Sequence, residues 1–281
     1  MPVTVSPLFR LSGKLKIKDA DAGKRPLDSS DKKQGKEEKD EAKTRDKLAT
    51  MKLAQQISDY QEILYAQKKY KLLIVLQGMD TSGKDGTVRG VFGQINPLGA
   101  RTSAFKAPSN VEKEYDYLWR VHKEVPGNGE IVIFNRSHYE DVLITRVHDW
   151  IDDKECERRY AQIRDFERML TETGTVILKF FLHISKDEQK QRLEERIADP
   201  DKHWKFDPQD LVEREYWDAY QTQYEKVITA TDADHAPWYI IPADSKTQRN
   251  LAIAGIVAEK LASLNLAYPP AKPELAKLKI S

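Results

Sequence analysis

The stretch KLLIVLQGMDTSGKDGT, residues 71 to 87, determines the predicted fold of this 281-residue chain. Residues 72 to 76 form an apolar run, which is typical of a strand buried on both faces. A G-x-x-x-x-G-K pattern follows at residues 78 to 84, and apolar residues then recur at helical spacing up to Phe92. A strand, this loop and a helix in succession predict a P-loop, whose backbone N–H groups and Lys84 hold phosphate.

Two acidic residues distinguish this loop from the usual pattern. Asp85 stands where a Ser or Thr normally contacts Mg²⁺, and Asp80 lies inside the loop. Two carboxylates would repel a bound phosphate unless a cation lay between them, and Mg²⁺ commonly takes one or two carboxylates together with substrate phosphates. We therefore expect both to face a metal ion. The alternative is that Asp85 only complements the positive end of the following helix.

Composition limits the class of protein. The chain has 46 basic and 45 acidic residues and a net charge of +1, so an anion site must be a local cluster and no nucleic-acid partner is expected. The single cysteine, Cys156, excludes an internal disulfide and fits a reducing compartment. No apolar run is long enough to cross a bilayer, and the N-terminus lacks the apolar core of a secretory signal. We expect a cytoplasmic protein with no membrane partner.

The chain is predicted to contain one charged arm and one domain. Residues 1–46 are expected to be largely disordered, because they carry few large apolar groups to offset the entropy of ordering. Over residues 47–281, apolar strands alternate with amphipathic helices. This alternation predicts an α/β three-layer fold, with a parallel sheet of about five strands and helices on both faces. A polar, aromatic-rich span places a helical lid at about residues 190–230.

A second polar segment, IVIFNRSHYED, ends the second core strand at residues 131 to 141. P-loop enzymes usually place a metal-holding Asp at the end of this strand, whereas this chain has Asn135. The chain has either lost that acid and become a binding module, or Glu140 supplies the charge from five residues further on. We favour the second interpretation. Arg136 can reach phosphate oxygens from this position.

Basic residues outside the loop are further candidates for binding phosphate. Arg192 and Arg196 are four residues apart on one predicted helix face, and Lys202 and Lys205 lie in the predicted lid. Together they can line a channel for a long polyanion or close over the transferred phosphoryl group, although each alone is an ordinary solvated charge. Arg146 is a candidate of lower rank.

Aromatic and neighbouring residues after the second predicted strand are candidates for binding a nucleotide. Phe105 and Pro108 can enclose a nucleobase, with Lys106 beside them, although core packing explains Phe105 equally well. His138 and His148 invite a metal or acid–base role, but structural roles fit them better because no cysteine accompanies them. Transfer to a phosphate acceptor also needs little base catalysis, because the acceptor oxygen is already anionic.

Five motifs together resemble polyphosphate kinase family 2: GMDTSGKDGT, FKAPS, LWRVHK, IVIFNRSHYEDVL and DPDKHWKFDPQD. The resemblance extends from about residue 48 to residue 264 and leaves out the charged arm. It implies a P-loop kinase fold with a helical lid, and phosphoryl transfer between inorganic polyphosphate and nucleotides that depends on Mg²⁺, with Mn²⁺ as an alternative ion. It also implies a homodimer or homotetramer.

The predicted site combines the loop with the matched family positions. The catalytic residues are Asp80, Lys84, Asp85, Asn135, Arg136 and Glu140, of which Asp80, Asp85 and Glu140 hold the metal. The remaining loop residues that contact phosphate are Gly78, Met79, Thr81, Ser82, Gly83 and Gly86.

The Asn135 and Glu140 pair resembles the family branch that accepts both AMP and ADP. The expected reactions are AMP to ADP and ADP to ATP, both reversible, with guanine nucleotides as further partners. Two other functions stay open at this point. One is an ATP-dependent nucleotide kinase, although such enzymes usually carry Ser or Thr after the P-loop lysine; the other is a non-catalytic nucleotide-binding switch.

Overall fold

The computed structural model describes residues 4 to 28 and 36 to 278. The strands are β1 (Lys71–Gln77), β2 (Ala100–Ala104), β3 (Ile131–Asn135), β4 (Thr175–His183) and β5 (Trp238–Pro242). The helices are α1 (Lys36–Gln67), α2 (Lys84–Phe92), α3 (Trp119–His122), α4 (Ile144–Val147), α5 (Asp153–Glu172), α6 (Lys186–Ala198), α7 (Gln209–Glu215), α8 (Trp217–Thr231) and α9 (Lys246–Ser263).

The strands form one parallel sheet in the order β2-β3-β1-β4-β5. Residues 72 to 76 of β1 are fully buried in its centre, as expected for an apolar strand with neighbours on both edges. Helices α1, α2 and α9 pack against one another, and α5 packs against α8 and β4. The predicted α/β fold with a five-stranded parallel sheet is therefore confirmed. None of the helices in the described residues is both long and apolar enough to cross a membrane.

The parallel sheet places the loops after all five strands at one edge. Because β1 is central, these loops form two groups on opposite sides of the segment that follows β1. We call residues 104–106 and 135–136, which end or follow β2 and β3, the β3 flank. We call residues 185–192 and 243–250, which follow β4 and β5, the β5 flank. The fold thus brings residues from distant parts of the sequence around the loop after β1.

Residues 4–28 differ from the prediction of a largely disordered arm. Phe9 is buried, and the backbone N–H of Ile240 in β5 donates to its carbonyl oxygen at 2.8 Å. Arg10 forms an ion pair with Asp232 at 2.6 Å. Few apolar residues suffice here because β5 is an edge strand, which offers unpaired backbone groups to a neighbouring segment.

The rest of the predicted arm and the lid boundaries also need correction. Residues 36–46 form the first turns of α1, and Asp46 there is buried and accepts from Gln248 Nε2 at 2.9 Å. Residues 1–3 and 29–35 lie outside the described residues. The predicted lid at about 190–230 extends too far, because Trp217 and Tyr224 of α8 belong to the buried core. The exposed lid segment is residues 199 to 216.

Candidate active site

The glycine loop, residues 78 to 83, connects β1 to α2. Gly83 has a φ of 104°, a left-handed conformation that favours glycine, and a Cβ there would overlap the guanidinium of Arg249. Thr81 also has a positive φ, of 61°. This turn directs the N-terminus of α2 into a cavity, where its free N–H groups and partial positive charge favour an anion.

Lys84 is the first residue of α2 and folds back over the glycine loop. Its Nζ donates to the carbonyl oxygens of Gly78 at 2.7 Å and Met79 at 3.2 Å. Burial lowers the pKa of Lys84, and the charge of Asp80 opposes that shift. The ammonium group is thus held at the cavity wall by neutral acceptors, which a phosphate oxygen can replace.

A cavity of about 750 Å³ opens over the glycine loop. Most of the predicted site residues line it: Asp80, Thr81, Gly83, Lys84, Asp85, Gly86, Phe105, Lys106, Asn135, Arg136, Arg192, Arg196, Lys202 and Lys205. The sequence interpretation missed several other lining residues, namely Arg89, Ala104, Glu195, Trp204, Asp207, Asp210, Lys246 and Arg249. Trp204, Asp207 and Asp210 lie inside the quoted lid motif, which was the one available signal for them.

Asp80 and Arg136 form an ion pair at 2.5 Å across the cavity. Burial alone would raise the pKa of Asp80, but the charges of Arg136 and Lys84 outweigh it and hold the pKa below its ordinary value. The Arg136 side chain is 40% exposed, so the pair faces the cavity rather than the core. Asp80 therefore stays ionised. Arg136 pairs with an anion in this structure, and a phosphate group can take the place of that anion.

The two unusual residues Asp85 and Asn135 form a hydrogen-bonded pair. Asn135 Nδ2 donates to Asp85 Oδ1 at 2.7 Å. An Asp at position 135 would place two carboxylates at this distance, where like charges repel strongly. A neutral Asn135 at the end of β3 is thus compatible with the acidic Asp85, which stands where Ser or Thr usually follows the P-loop lysine.

Glu140 does not line the cavity. Burial raises the pKa of Glu140, and the charges of Arg136 and Lys84 act in the opposite direction. The Gln77 side-chain amide satisfies its hydrogen bonds when its oxygen and nitrogen are exchanged, and its Nε2 then donates to Glu140 Oε1 at 3.0 Å. Glu140 therefore acts on Arg136 through its charge, and its predicted role as a metal ligand stays a prediction.

The donor set fits a divalent cation that is held partly by substrate. Asp80 and Asp85 line the same cavity and are ionisable oxygen donors of the kind that Mg²⁺ prefers. Within residues 4 to 28 and 36 to 278, no three His, Cys, Asp or Glu side chains are grouped to hold a metal ion alone. Two carboxylates that act with phosphate oxygens are the mode that Mg²⁺ commonly adopts.

Arg192, predicted to bind phosphate, lines the cavity but makes many contacts with the protein. It is buried, and its guanidinium donates to the carbonyl oxygens of Thr81 at 2.9 Å, Ala243 at 2.8 Å and Asp244 at 2.9 Å. Glu188, one turn earlier, accepts from its Nε at 2.7 Å. Arg192 thus ties the glycine loop to the segment after β5.

The lid cations are held by acids. Lys202 pairs with Asp199 at 2.6 Å, and Lys205 Nζ lies 4.0 Å from Asp85 Oδ2. Arg196 lies 3.6 Å from Asp210, whose carboxyl pKa is raised to about 6 by burial and then by the charge of Asp80. These long side chains can exchange their partners for phosphate without unfolding the lid.

Arg146 and Pro108 do not join the cavity lining. Arg146 is held by Asp149 and by Asp153, the latter at 2.8 Å, because α4 directs it toward the start of α5. Arg146 therefore does not line the cavity, and its predicted role in binding phosphate stays a prediction. Phe105 packs edge-to-face on Phe134 with ring centroids 4.8 Å apart, so its ring is largely a core group.

The two histidines have structural partners. His138 is buried 3.2 Å from Glu167, which also pairs with the buried Lys179 at 2.6 Å. His148 lies 2.9 Å from Glu213. These contacts agree with the structural roles expected from the sequence.

Comparisons with known proteins cover most of the chain. Residues 38–268 match the family described as Polyphosphate kinase 2. A relative from Meiothermus ruber, named AMP/ADP-polyphosphate phosphotransferase, is 52% identical over 81% of this chain and 85% of its own length. An ADP-polyphosphate phosphotransferase from Rhodopseudomonas palustris is 43% identical over 79% of this chain and 81% of its own. The crystal structure of Polyphosphate Kinase 2 from Arthrobacter aurescens TC1 superposes with a TM-score of 0.86 at 39% identity, covering 99% of this chain and 94% of that chain.

Proposed function

Because this chain belongs to the polyphosphate kinase 2 family, we propose that it transfers phosphoryl groups between inorganic polyphosphate and the nucleotides AMP and ADP. The observation that carries this proposal is the 52% identity to an AMP/ADP-polyphosphate phosphotransferase over 81% of the chain. The cavity supports it, since phosphate would meet the N-terminus of α2, Lys84 and Arg136 at one place. AMP would become ADP, and ADP would become ATP, reversibly.

The cationic side chains of the cavity would promote the transfer by holding the phosphates in place and by stabilising their negative charge. Phosphoryl transfer passes through a loose transition state whose charge lies on the equatorial oxygens, so cations around those oxygens lower the barrier. Lys84 would exchange the Gly78 and Met79 carbonyls for phosphate, and Arg136 would turn from Asp80 to the same group. Arg196 and Lys205 would complete the set from the lid side.

A divalent cation would belong to the same arrangement. Mg²⁺, or Mn²⁺ in its place, would be held by Asp80 and Asp85 with phosphate oxygens, with Glu140 as a further candidate, and would neutralise charge on donor and acceptor phosphates. Asn135 would keep Asp85 oriented toward it through the 2.7 Å hydrogen bond.

The nucleoside would lie on the β3 flank. Lys106 is exposed there and lines both the main cavity and a smaller cavity of about 440 Å³, which also contacts Phe105 and Trp119. Guanine nucleotides would fit the same position. The proposal also includes a cytoplasmic location, assembly as a homodimer or homotetramer, and a contact of Pro108 with the nucleobase.

The test is a chromatographic assay of nucleotide products. Purified protein is incubated with Mg²⁺ and AMP or ADP, with polyphosphate in one series and ATP or GTP as donor in another. We expect ADP and ATP to form with polyphosphate, and the Lys84→Ala variant to form almost none. Products from a nucleotide donor alone would identify an ATP-dependent nucleotide kinase, and binding with no product from any donor would identify a switch.

A further inference from the structure

The β5 flank holds a buried cation that the proposed reaction does not use. Arg249 is only 3% exposed, yet it lines the main cavity. Its NH1 donates to Ser82 O at 3.1 Å, and its Nε and NH2 donate to Asn250 Oδ1 at 3.2 and 3.0 Å. All these acceptors are neutral, and among the described residues no carboxylate forms an ion pair with Arg249.

The surroundings of Arg249 are positive rather than negative. Its guanidinium lies against Gly83 and Gly86 at the N-terminus of α2, a nine-residue helix, and near Arg192. Burial, and then the charge of Arg192, lower the pKa of Arg249 to about 9. A buried charge without a counterion is unfavourable, and an anion that enters the cavity would relieve this cost.

An unsatisfied hydroxyl lies on the same part of the loop. Thr81 is 8% exposed and lines the cavity, and its Oγ1 has no hydrogen-bond partner within the described residues. Buried hydroxyl groups are nearly always hydrogen-bonded, so this one is an available donor. The helix N-terminus, the Arg249 guanidinium and the Thr81 hydroxyl therefore lie on one part of the loop, and no carboxylate pairs with Arg249 among the described residues.

Further cations continue from Arg249 along the same side. Lys246 begins α9 and Arg89 lies one turn after Gly86 on α2; both line the cavity. One acid, Glu195, lies 3.7 Å from Lys246, in a pair that is largely exposed. The acids that line the loop itself, Asp80 and Asp85, contact Arg136 and Asn135 of the β3 flank instead.

We propose that Arg249, Lys246, Arg89 and Thr81 form a subsite for the part of the polyphosphate chain beyond the phosphate at the transfer point. The polyanion would leave the glycine loop across the start of α9, while the nucleotide occupies the β3 flank. This inference rests on the proposed function for the identity of its ligand. It adds these residues to Lys202 and Lys205 of the lid, which line the same cavity.

The chain offers a closely matched control. Lys246 pairs with Glu195 at 3.7 Å and its side chain is 61% exposed; Lys190 pairs with Glu194 at 3.8 Å and is 64% exposed, but it does not line the cavity. Lys246→Gln combined with Arg89→Gln therefore tests the subsite, and Lys190→Gln tests the loss of a similar surface charge. Arg249→Met is measured on its own, because losing the hydrogen bond to Ser82 O can also change the shape of the glycine loop.

Isothermal titration calorimetry with long-chain polyphosphate, tripolyphosphate and ADP measures binding without turnover. For the double variant we expect about a tenfold weaker Kd for long-chain polyphosphate, with tripolyphosphate less affected and ADP unchanged. The slope of log Kd against log salt should become less steep by roughly one for each cation removed. Arg249→Met should weaken polyphosphate binding more than ADP binding.

Equal affinities for long-chain polyphosphate in the double variant and in Lys190→Gln would overturn the subsite. Equal losses for ADP and polyphosphate in Arg249→Met would assign that residue to loop structure alone and remove it from the subsite. The failure of the proposed function is a different result: the wild-type protein would then bind polyphosphate in the calorimeter but form no nucleotide product in the assay.

Discussion

The β5 flank and the β3 flank hold their arginines in different ways. Arg192 and Arg249 on the β5 flank are buried and donate to backbone carbonyls, including those of the glycine loop. Arg136 on the β3 flank is 40% exposed and pairs with the carboxylate of Asp80. Carbonyl-bound arginines maintain the shape of the loop, because moving them leaves several buried acceptors unsatisfied. A part-buried ion pair at the cavity wall can instead exchange its acid for a phosphate, because no backbone acceptor loses its donor.

Lys84 is the strongest test of this comparison. It donates to backbone carbonyls, as the structural arginines do, yet we propose that it binds the transferred phosphoryl group. Lys84→Ala removes a positive charge next to the transferred group, and we expect kcat/KM to fall about a thousandfold, or about 4 kcal/mol of transition-state stabilisation. Steady-state kinetics with ADP and polyphosphate measure it, and thermal melting should show a folded variant. A loss of less than about tenfold would place Lys84 with the structural side chains.

Arg192 and Arg196 form a matched pair on one helix, four residues apart. Arg192→Met leaves three carbonyl acceptors without a donor, and we expect it to lower the free energy of unfolding by about 3 kcal/mol. Arg196→Met should lower it by less than about 1 kcal/mol, because its contacts are partly exposed. Urea titration measures both values. Similar stability losses for the two variants would remove the distinction between arginines bound to backbone carbonyls and arginines paired with acids.

Asp85, which accepts a hydrogen bond from Asn135 of the β3 flank, tests the metal-dependent part of the site. Asp85→Asn keeps the shape of the side chain but removes its charge, and we expect about a hundredfold loss in kcat/KM, or about 2.7 kcal/mol. The Mg²⁺ concentration for half-maximal activity should rise as well. Asp201→Asn, in the exposed part of the lid, is the control and should behave as wild type. Unchanged Mg²⁺ dependence in Asp85→Asn would leave Asp85 as a partner of the helix N-terminus only.

The choice of acceptor is expected to depend on Asn135 and Glu140. The double exchange Asn135→Asp with Glu140→Asn places a carboxylate beside Asp85 and removes the Glu140 carboxylate, whose charge acts on Arg136. We expect the ratio of kcat/KM for AMP to that for ADP to change about tenfold, which needs about 1.4 kcal/mol of differential stabilisation. A preserved ratio would move acceptor choice to the pocket beside Phe105 and Lys106.

The smallest expected effect concerns Asp210, which faces Arg196. Since the pKa of Asp210 is raised to about 6, the folded protein retains a proton between roughly pH 4 and pH 6 that the unfolded chain has released. Stability should therefore fall as the pH rises through this window and stay at the lower level above it. Asp210→Asn should flatten this part of the profile in melting experiments, whereas Asp201→Asn should retain it. A wild-type profile in Asp210→Asn would assign the pH dependence to another group.

The central strand and the glycine loop were predictable because local patterns encode them. Residues 72–76 are buried on both faces, and such a strand appears in the sequence as an unbroken apolar run. The loop glycines follow it at fixed spacing. Asp80, Lys84 and Asp85 could be placed around the cavity for the same reason, since all lie within one strand–loop–helix unit.

Contacts between distant segments were not predictable from local patterns. Arg249 is 167 residues from Ser82, and no motif connects them; only the order of β1, β4 and β5 brings α9 to the loop. The segment at residues 4–28 is charged in sequence, yet residues 9–11 pair with the edge of β5, and residues 15 and 17 donate to side chains of α8. The position of Arg146 likewise depends on the direction of α4, which charge patterns do not specify.

The most direct test of the central claim follows ³¹P NMR signals in one sample of protein, Mg²⁺, AMP and polyphosphate. Polyphosphate phosphorus should decline as the β-phosphate of ADP appears first and the γ-phosphate of ATP follows, with no nucleoside triphosphate added at the start. Constant AMP and polyphosphate signals in this sample, together with conversion of AMP when ATP replaces polyphosphate, would contradict the account.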